Sequence, residues 1–292
     1  MAVDVGESEM SSATRYVEES FPFYHRSFAV KKVLWSEKSN VQVVDLLDLH
    51  VLGKTLFLNG DLQLSTSDEY IYHEVMAHAA MLSVENPRKV LIIGGGDGGL
   101  LREVLKYRCV REAVLVELDP AVLDLCKIHL SEVSAGAFDD PRTQIVIDDG
   151  LGYLKQENDP FDVILMDLTD PALGGPEANL YGEEGISAVR SRLSDGGALI
   201  VQSSCHVFHR ELFDELLDTV SRVFDCGVPL SVWIPSYGFP WSFILAKKDK
   251  LLPAQRTLNE RFGRHQIRTR YYAPSLQRAL VEEMAAYLRS TS

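Results

Sequence analysis

Asp97 stands inside GGGDGG at 94–99, preceded by VLII and followed by a stretch in which Leu100, Leu101, Val104 and Leu105 share one helical face. The spacing of Gly94, Gly96 and Gly99 is that of a loop whose missing side chains let backbone amides approach a ligand at a helix N-terminus. Such a terminus favours anions, so a fixed carboxylate there points to a ligand whose nearby part is cationic. Further carboxylates recur where apolar runs end: Glu117 closes VLVE, Asp149 follows TQIVI, and Asp167 and Asp170 follow FDVILM. One such residue is ordinary loop decoration, but recurrence at every strand end is harder to dismiss. Glu117 lies about 20 residues past the glycines, where a carboxylate accepts hydrogen bonds from both ribose hydroxyls of an adenosine. The same position serves NAD or S-adenosylmethionine, so a nucleoside is indicated and its identity is left open. DLTDP at 167–171 adds two carboxylates three residues apart, able to act as a base and as an anchor for a charged amine. Asp170 before Pro171 also fits a plain helix cap.

The elements that hold these residues follow from the hydrophobic pattern. Residues 1–15 lack periodicity and read as a mobile tail. Alternation from Phe28 to Leu64, with turn signals at Gly53-Lys54 and Asn59-Gly60-Asp61, indicates a small antiparallel sheet of hairpins. A helix capped by Ser67 or Asp68 follows, with Tyr72, Val75, Met76 and Ala79 at helical spacing. Beyond the glycine loop, EAVLVELD, TQIVIDDG, FDVILMDL, ALIVQS, VPLSVWIP and WSFILAKK read as strands, and AVLDLCKIHL and ELFDELLDTVSRVF as helices. Continuous apolar strands alternating with amphipathic helices predict an α/β, doubly wound, Rossmann-like parallel sheet, with its ligand beyond the carboxyl ends of the strands. The expected domains are the tail, a β-rich domain at 16–76 and the Rossmann-like domain at 77–292.

Composition narrows the partners. The chain has 292 residues, 46% of them hydrophobic, and a formal net charge of −13. It has no Lys/Arg-rich block, which argues against nucleic acid. The polar, acidic first twenty residues do not resemble a signal peptide, and no apolar run approaches a membrane span, so a soluble, cytoplasmic protein is expected. Cys109, Cys126, Cys205 and Cys226 form no CxxC pair and are expected to be buried thiols. No metal site is expected: His73 and His78 are five residues apart, not the four of a zinc-protease helix. Cys205, His206 and His209 read as a strand end and a loop.

GDLQLSTSDEYIYHE (60–74), VLIIGGGDGGLLREV (90–104), VELD (116–119), DDPRTQIVIDDG (139–150), FDVILMDLTDP (161–171) and IPSY (234–237) together resemble the polyamine aminopropyltransferases typified by spermidine synthase. The resemblance runs in order from about Phe28 to Lys248, and RYYAPSLQRAL (270–280) is similar to the family's closing pattern, with Gln277 where histidine is common. It implies a small N-terminal β-domain and a Rossmann-like catalytic domain. It also implies decarboxylated S-adenosylmethionine as co-substrate, with no separate cofactor, a polyamine acceptor, and a homodimer or homotetramer. By resemblance, Gln42, Glu117, Asp149, Gly150 and Pro176, with Gly94 and Gly96 of the loop, hold the nucleoside and thioether portion. Tyr72, His73, Asp97, Asp170, Gln202 and Tyr237 would line the aminopropyl and polyamine channel, and Asp167 matches the proton acceptor. The loop ALGGPEANLY is longer than spermidine synthases usually have and resembles members with other acceptors, including thermospermine synthases.

Putrescine is the expected acceptor, ahead of agmatine or a longer polyamine. A methyltransferase using intact S-adenosylmethionine is the alternative class, disfavoured by Asp97 and the Asp167/Asp170 pair. A nicotinamide-dependent oxidoreductase lacks a hydride-site constellation, and a polyamine sensor would have little need of a base.

Overall fold

A computed structural model describes residues 14–21, 24–156, 159–169, 178–249 and 252–291. Most of the expected tail, and Asp170 and Pro176, lie outside the described residues. The chain divides into two compact units, Met1–Asp68 and Glu69–Ser292. No described helix is long and apolar enough to cross a membrane.

The first unit is one antiparallel sheet in sequential order: β1 (Arg15–Phe21), β2 (Tyr24–Lys38), β3 (Val43–Leu49), β4 (Gly53–Leu58) and β5 (Asp61–Ser65). Its hairpins begin earlier in the chain than the alternation from Phe28 indicates, because Arg15 to Glu18 pair with the first half of the 15-residue β2. Asn59 and Gly60 both take positive φ, 51° and 94°, which suits the tight turn between β4 and β5. Leu46, Leu49, Leu56 and Phe57 are buried. Buried Glu18 is held by Arg26 at 2.5 Å and by the Leu62 amide at 2.9 Å, so the charge is paired within the sheet.

The second unit opens with α1 (Glu69–Met81), a helix buried at every residue except Tyr70. A helix buried on all sides suits the core of a large unit. A boundary after residue 76 would cut through it. The chain then forms β6 (Lys89–Gly94), α2 (Gly99–Leu105), β7 (Glu112–Glu117), α3 (Pro120–His129), α4 (Ser131–Ser134), β8 (Thr143–Ile147), α5 (Gly150–Lys155) and β9 (Phe161–Asp167). It continues as α6 (Ala178–Tyr181), α7 (Glu183–Arg192), β10 (Leu193–Gln202), α8 (Arg210–Phe224), β11 (Val228–Ile234), β12 (Phe239–Lys247), α9 (Gln255–His265) and α10 (Pro274–Thr291).

Seven strands form one sheet in the order β11-β12-β10-β9-β6-β7-β8. The five strands from β10 to β8 are parallel, which is the Rossmann-like layout expected. The sheet as a whole is mixed: β12 runs antiparallel to β10, and β11 antiparallel to β12, as a closing hairpin. Only four residues join β11 to β12, too short a link for a parallel crossover. The core strands are buried on both faces. In β6, Val90, Leu91, Ile92 and Ile93 are at most 1% exposed, each stabilising the fold by about 1.5–3 kcal/mol.

The chain passes from β6 outward through β7 and β8, then returns to place β9 and β10 on the other side of β6. That reversal opens a crevice at the carboxyl ends of β6 and β9. The C-terminal segment is fastened to α1: buried Glu74 accepts the amides of Arg270, Tyr271 and Tyr272 at 2.7, 2.8 and 2.9 Å. Gln277 accepts the Tyr272 hydroxyl, which accounts for the RYY motif as a structural clasp. All four cysteines are free; Cys126 and Cys205 are buried, while Cys109 and Cys226 are partly exposed.

Candidate active site

Strand register gathers the candidate residues at one edge. Gly94 of β6 pairs with Asp167 of β9, Ile93 with Val116 just before Glu117, and Glu117 with Ile147, two residues ahead of Asp149. On the other side, Val201 pairs with Met166, the residues immediately before Gln202 and Asp167. Parallel strands in register therefore present Gln202, Asp167, Gly94 and Glu117 as a row across the crevice.

The glycines make room for their neighbours. A Cβ on Gly94 would lie 2.1 Å from the Asp167 carbonyl oxygen, and one on Gly96 would lie 2.7 Å from Glu117 Oε2. A Cβ on Gly99 would enter the His73 ring at 2.3 Å. The loop thus fixes where the Glu117 and His73 side chains and the Asp167 backbone can stand, beyond letting a ligand approach.

Asp97 keeps a structural task as well. Its Oδ1 accepts the Gly99 amide at 2.7 Å and faces His73 Nε2 at 3.3 Å, so neither contact uses Oδ2. The other ring nitrogen, Nδ1, is 2.6 Å from Glu69 Oε2, one helical turn back on α1. Burial opposes charge on this ring, yet Asp97 and Glu69 together raise its pKa to about 10, so it is an imidazolium at neutral pH. Arg102 of α2 grips Glu69 with two parallel bonds, Nη1 to Oε1 at 3.0 Å and Nη2 to Oε2 at 2.9 Å. Burial would raise the Glu69 pKa, but His73 and Arg102 lower it to about 2.

Asp167 ends β9, and the Tyr72 hydroxyl donates to its Oδ1. Burial first, then the Asp167 charge, pushes the Tyr72 pKa well above its ordinary value, so the phenol keeps its proton and stays a donor. Ligand-type atoms of His73, Asp97 and Asp167 lie within 4.8 Å of one another. Two carboxylates at that spacing attract a cation. With His73 protonated, the pair offers an organic ammonium two carboxylates beside an apolar wall.

Aromatic rings flank this point. Tyr72 lies 5.1 Å from Phe243 and 6.4 Å from Tyr237 between ring centroids, and Tyr237 lies 5.1 Å from Trp241. Phe239, Trp241 and Phe243 alternate along β12, the period of one strand face. FPWSF carries that signal in the sequence. The contact of Glu69 with His73 has its sequence sign in their i, i+4 spacing, whereas nothing in the sequence marks Arg102 as the partner of Glu69.

Farther along the same strand edge, Glu117 is 7% exposed, with Oε1 accepting the Asp119 amide at 2.9 Å. The Asp149 side chain accepts the Gly152 amide at 2.7 Å at the start of α5. Gly150 is pressed against Ile93, where a Cβ would meet its methyl at 2.5 Å. The Gln202 amide is bonded at both of its ends. Its Nε2 donates to the Leu168 carbonyl at 2.9 Å and the Tyr181 hydroxyl at 2.6 Å, and its Oε1 accepts the Ser204 amide at 2.9 Å. These bonds fix the exit of β9 just past Asp167. Gln42 belongs to the first unit, in a turn where its carbonyl accepts the Ser39 amide at 2.8 Å.

Residues 69–256 match the family model described as the spermine/spermidine synthase domain, and residues 16–66 match the spermidine synthase tetramerisation domain. A polyamine aminopropyltransferase of Korarchaeum cryptofilum is 39% identical over 280 residues, spanning 94% of this chain and 86% of the relative. One of Hyperthermus butylicus is 40% identical over 253 residues, spanning 84% and 86%. Among solved structures, spermidine synthase in complex with the transition-state analogue AdoDATO superposes with a TM-score of 0.86 at 30% identity, covering 96% of this chain and 94% of that one. Spermidine synthase from Thermotoga maritima gives 0.85 at 31%, covering 92% and 91%. With the carboxylate pair, the glycine loop and both family models on one chain in order, this protein belongs to the spermidine/spermine synthase family.

Proposed function

We propose that this protein is a polyamine aminopropyltransferase that moves the propylamine of decarboxylated S-adenosylmethionine to an amine, with putrescine as the preferred acceptor and spermidine as product. The observation that carries the reading is the meeting of Asp97 and Asp167 beside His73, within 4.8 Å, on the strand edge that also bears Glu117. Glu117 and the glycine loop take the nucleoside, with Asp149, Gly150 and Pro176 as further contacts carried over from the family. Asp97 receives the donor's ammonium through its remaining oxygen, and Tyr72, Tyr237 and Trp241 give the methylene chain an apolar wall with faces for a second ammonium. Asp170 is the family's second acceptor-side carboxylate.

In the reaction, the lone pair of a neutral amine attacks the propyl carbon bonded to the sulfonium sulfur. A C–N bond forms, the C–S bond breaks, and its electron pair stays on sulfur as neutral methylthioadenosine. The attacking nitrogen's extra proton passes to Asp167, which must accept it because free amines are protonated at pH 7. The Tyr72 hydroxyl on Oδ1 holds that carboxylate in place. The sulfonium is already an activated leaving group, so no metal enters the scheme.

Incubation with decarboxylated S-adenosylmethionine and putrescine, agmatine, spermidine or cadaverine, with products identified by mass, tests the reading. Methylthioadenosine and spermidine are expected with putrescine. No methylthioadenosine with any acceptor would overturn the transferase, and faster turnover of a longer amine or agmatine would overturn the acceptor.

The first unit is further proposed to join copies of the chain into a dimer or tetramer. Its family model is a tetramerisation domain, and its sheet carries exposed Val17, Val33 and Trp35. Light scattering after gel filtration should give a multiple of 32.7 kDa; a monomer at micromolar concentration would exclude it. A cytoplasmic location fits the four free cysteines.

A further inference from the structure

A ladder of alternating charges runs away from Asp97 through the packed helices α1 and α2. Asp97 meets His73 at 3.3 Å, His73 meets Glu69 at 2.6 Å, and Glu69 meets Arg102 at 2.9 Å. Arg102 meets Glu103 at 2.8 Å, and Glu103 meets Lys106 at 2.5 Å. Glu69 touches neither Asp97 nor Asp167 in these contacts, yet it takes the ring nitrogen that Asp97 does not. We propose that Glu69, locked by Arg102, is a positioning residue for the donor's aminopropyl group, holding His73 so that the ring presents N–H to Asp97 and keeps Oδ1 occupied and Oδ2 available. The inference rests on the aminopropyltransferase reading above.

Three features of the geometry support it. The ring is wedged, because Gly99 lies so close that a Cβ there would enter it at 2.3 Å, so its orientation depends on what holds its two nitrogens. Glu69 cannot swing, because Arg102 holds both its oxygens and is itself fixed by the Val133 carbonyl at 2.6 Å. His73 is 3% exposed, so loss of Glu69 would leave Nδ1 buried without an acceptor. The charged and titratable groups facing His73 are Glu69 and Tyr72 of α1, Asp97 of the glycine loop and Asp167 of β9, with Arg102 of α2 behind Glu69. Two anions hold the ring protonated through neutral pH, consistent with its raised pKa.

The test compares the full-length protein with Glu69→Gln and Arg102→Lys. Nitrogen NMR of the histidine side chains follows His73 without substrate, and steady-state kinetics separates kcat from the KM of decarboxylated S-adenosylmethionine. In Glu69→Gln the His73 titration should fall by at least one pH unit, and the donor KM should rise about tenfold while kcat changes less than threefold. Arg102→Lys, which keeps the charge and loses the fork, should shift both in the same direction by a smaller factor. If Glu69→Gln does not fold, Arg102→Lys alone carries the comparison. An unchanged His73 titration, or kcat and KM worsening together in proportion to lost folded protein, would overturn the positioning role. Failure of the wild-type protein to release methylthioadenosine would overturn the transferase reading instead, and the titration would still decide whether Glu69 sets the state of His73.

Discussion

At the scale of single residues, the site separates two carboxylates by what already holds them. Asp167 receives the hydroxyl of a neutral phenol, Tyr72, at Oδ1. Asp97 faces an imidazolium at 3.3 Å through Oδ1, and neither that contact nor the Gly99 amide uses Oδ2, which suits it to bind a cation. Asp167→Asn should therefore lower kcat by 100-fold or more at constant donor KM, the usual scale for a general base. A nearly unchanged kcat would move the base elsewhere. Asp97 should also reject intact S-adenosylmethionine, whose carboxylate lies beside its amine. Two like charges about 4 Å apart at an effective dielectric of about 20 repel by roughly 4 kcal/mol. The neighbouring imidazolium offsets part of that, leaving about 10- to 100-fold discrimination. Competition between the two donors measured for Asp97→Asn should show that preference largely gone, and an undiminished preference would sink the explanation. Both aspartates were legible in the sequence, Asp167 as the end of an apolar run and Asp97 among the glycines that follow one. Gln202 was not: its bonds to Leu168, Tyr181 and Ser204 join residues up to 34 apart, so only the folded chain shows that it braces the exit of β9. Arg102 and Glu69, 33 residues apart, were hidden for the same reason.

At the scale of elements, β6 and its loop set the site by exclusion of side chains. Gly99→Ala would place a methyl group inside the His73 ring at 2.3 Å, and Gly96→Ala one at 2.7 Å from Glu117 Oε2. Overpacking of this kind costs about 1–3 kcal/mol. Both variants should melt lower than wild type. Gly96→Ala should weaken methylthioadenosine binding measured by calorimetry, whereas Gly99→Ala should leave it nearly intact while raising the KM of the charged donor. Equal losses of both ligands in both variants would mean that the loop acts as one generic surface. The central strands could be read from their apolar runs, since a buried parallel strand needs little else. The hairpin of β11 and β12 has equally apolar strands, so hydrophobicity alone could not tell its direction; the short link did. Helices α7, α9 and α10 escaped notice because their burial is sparse. Leu258 is the one buried residue of α9, and α10 buries Pro274, Gln277, Leu280 and Met284 in a thin stripe at helical spacing.

At the scale of the whole molecule, the buried ionic groups bind stability to pH from both sides. His73 has its pKa raised from 6.5 to about 10, chiefly by Asp97 and Glu69 acting against burial. Its contribution is therefore complete below pH 6.5 and is lost as pH rises through about 10. His206 is pushed the other way, to about 4, by burial and then by Arg210. Its folded form holds a neutral ring, so its contribution is present above pH 6.5 and is lost as pH falls through about 4. Glu69 and Glu103, both near 2 in the folded protein through their histidine and cationic partners despite burial, contribute above pH 4.5 and fail as pH drops toward 2. The two histidine limbs cross near pH 6.5, which places the stability maximum close to neutrality. Melting followed by calorimetry from pH 5 to 9 should trace that maximum. His206→Phe should flatten the acid limb between pH 6.5 and 5 and leave the alkaline limb alone. His73→Gln should flatten the limb between pH 7 and 9, at the cost of a lower melting temperature throughout because Glu69 and Asp97 lose their shared cation. An alkaline limb of unchanged slope in His73→Gln would show that the ring is not held protonated. The charge ladder from Asp97 to Lys106 would then stabilise the helix pair without setting the state of the active site.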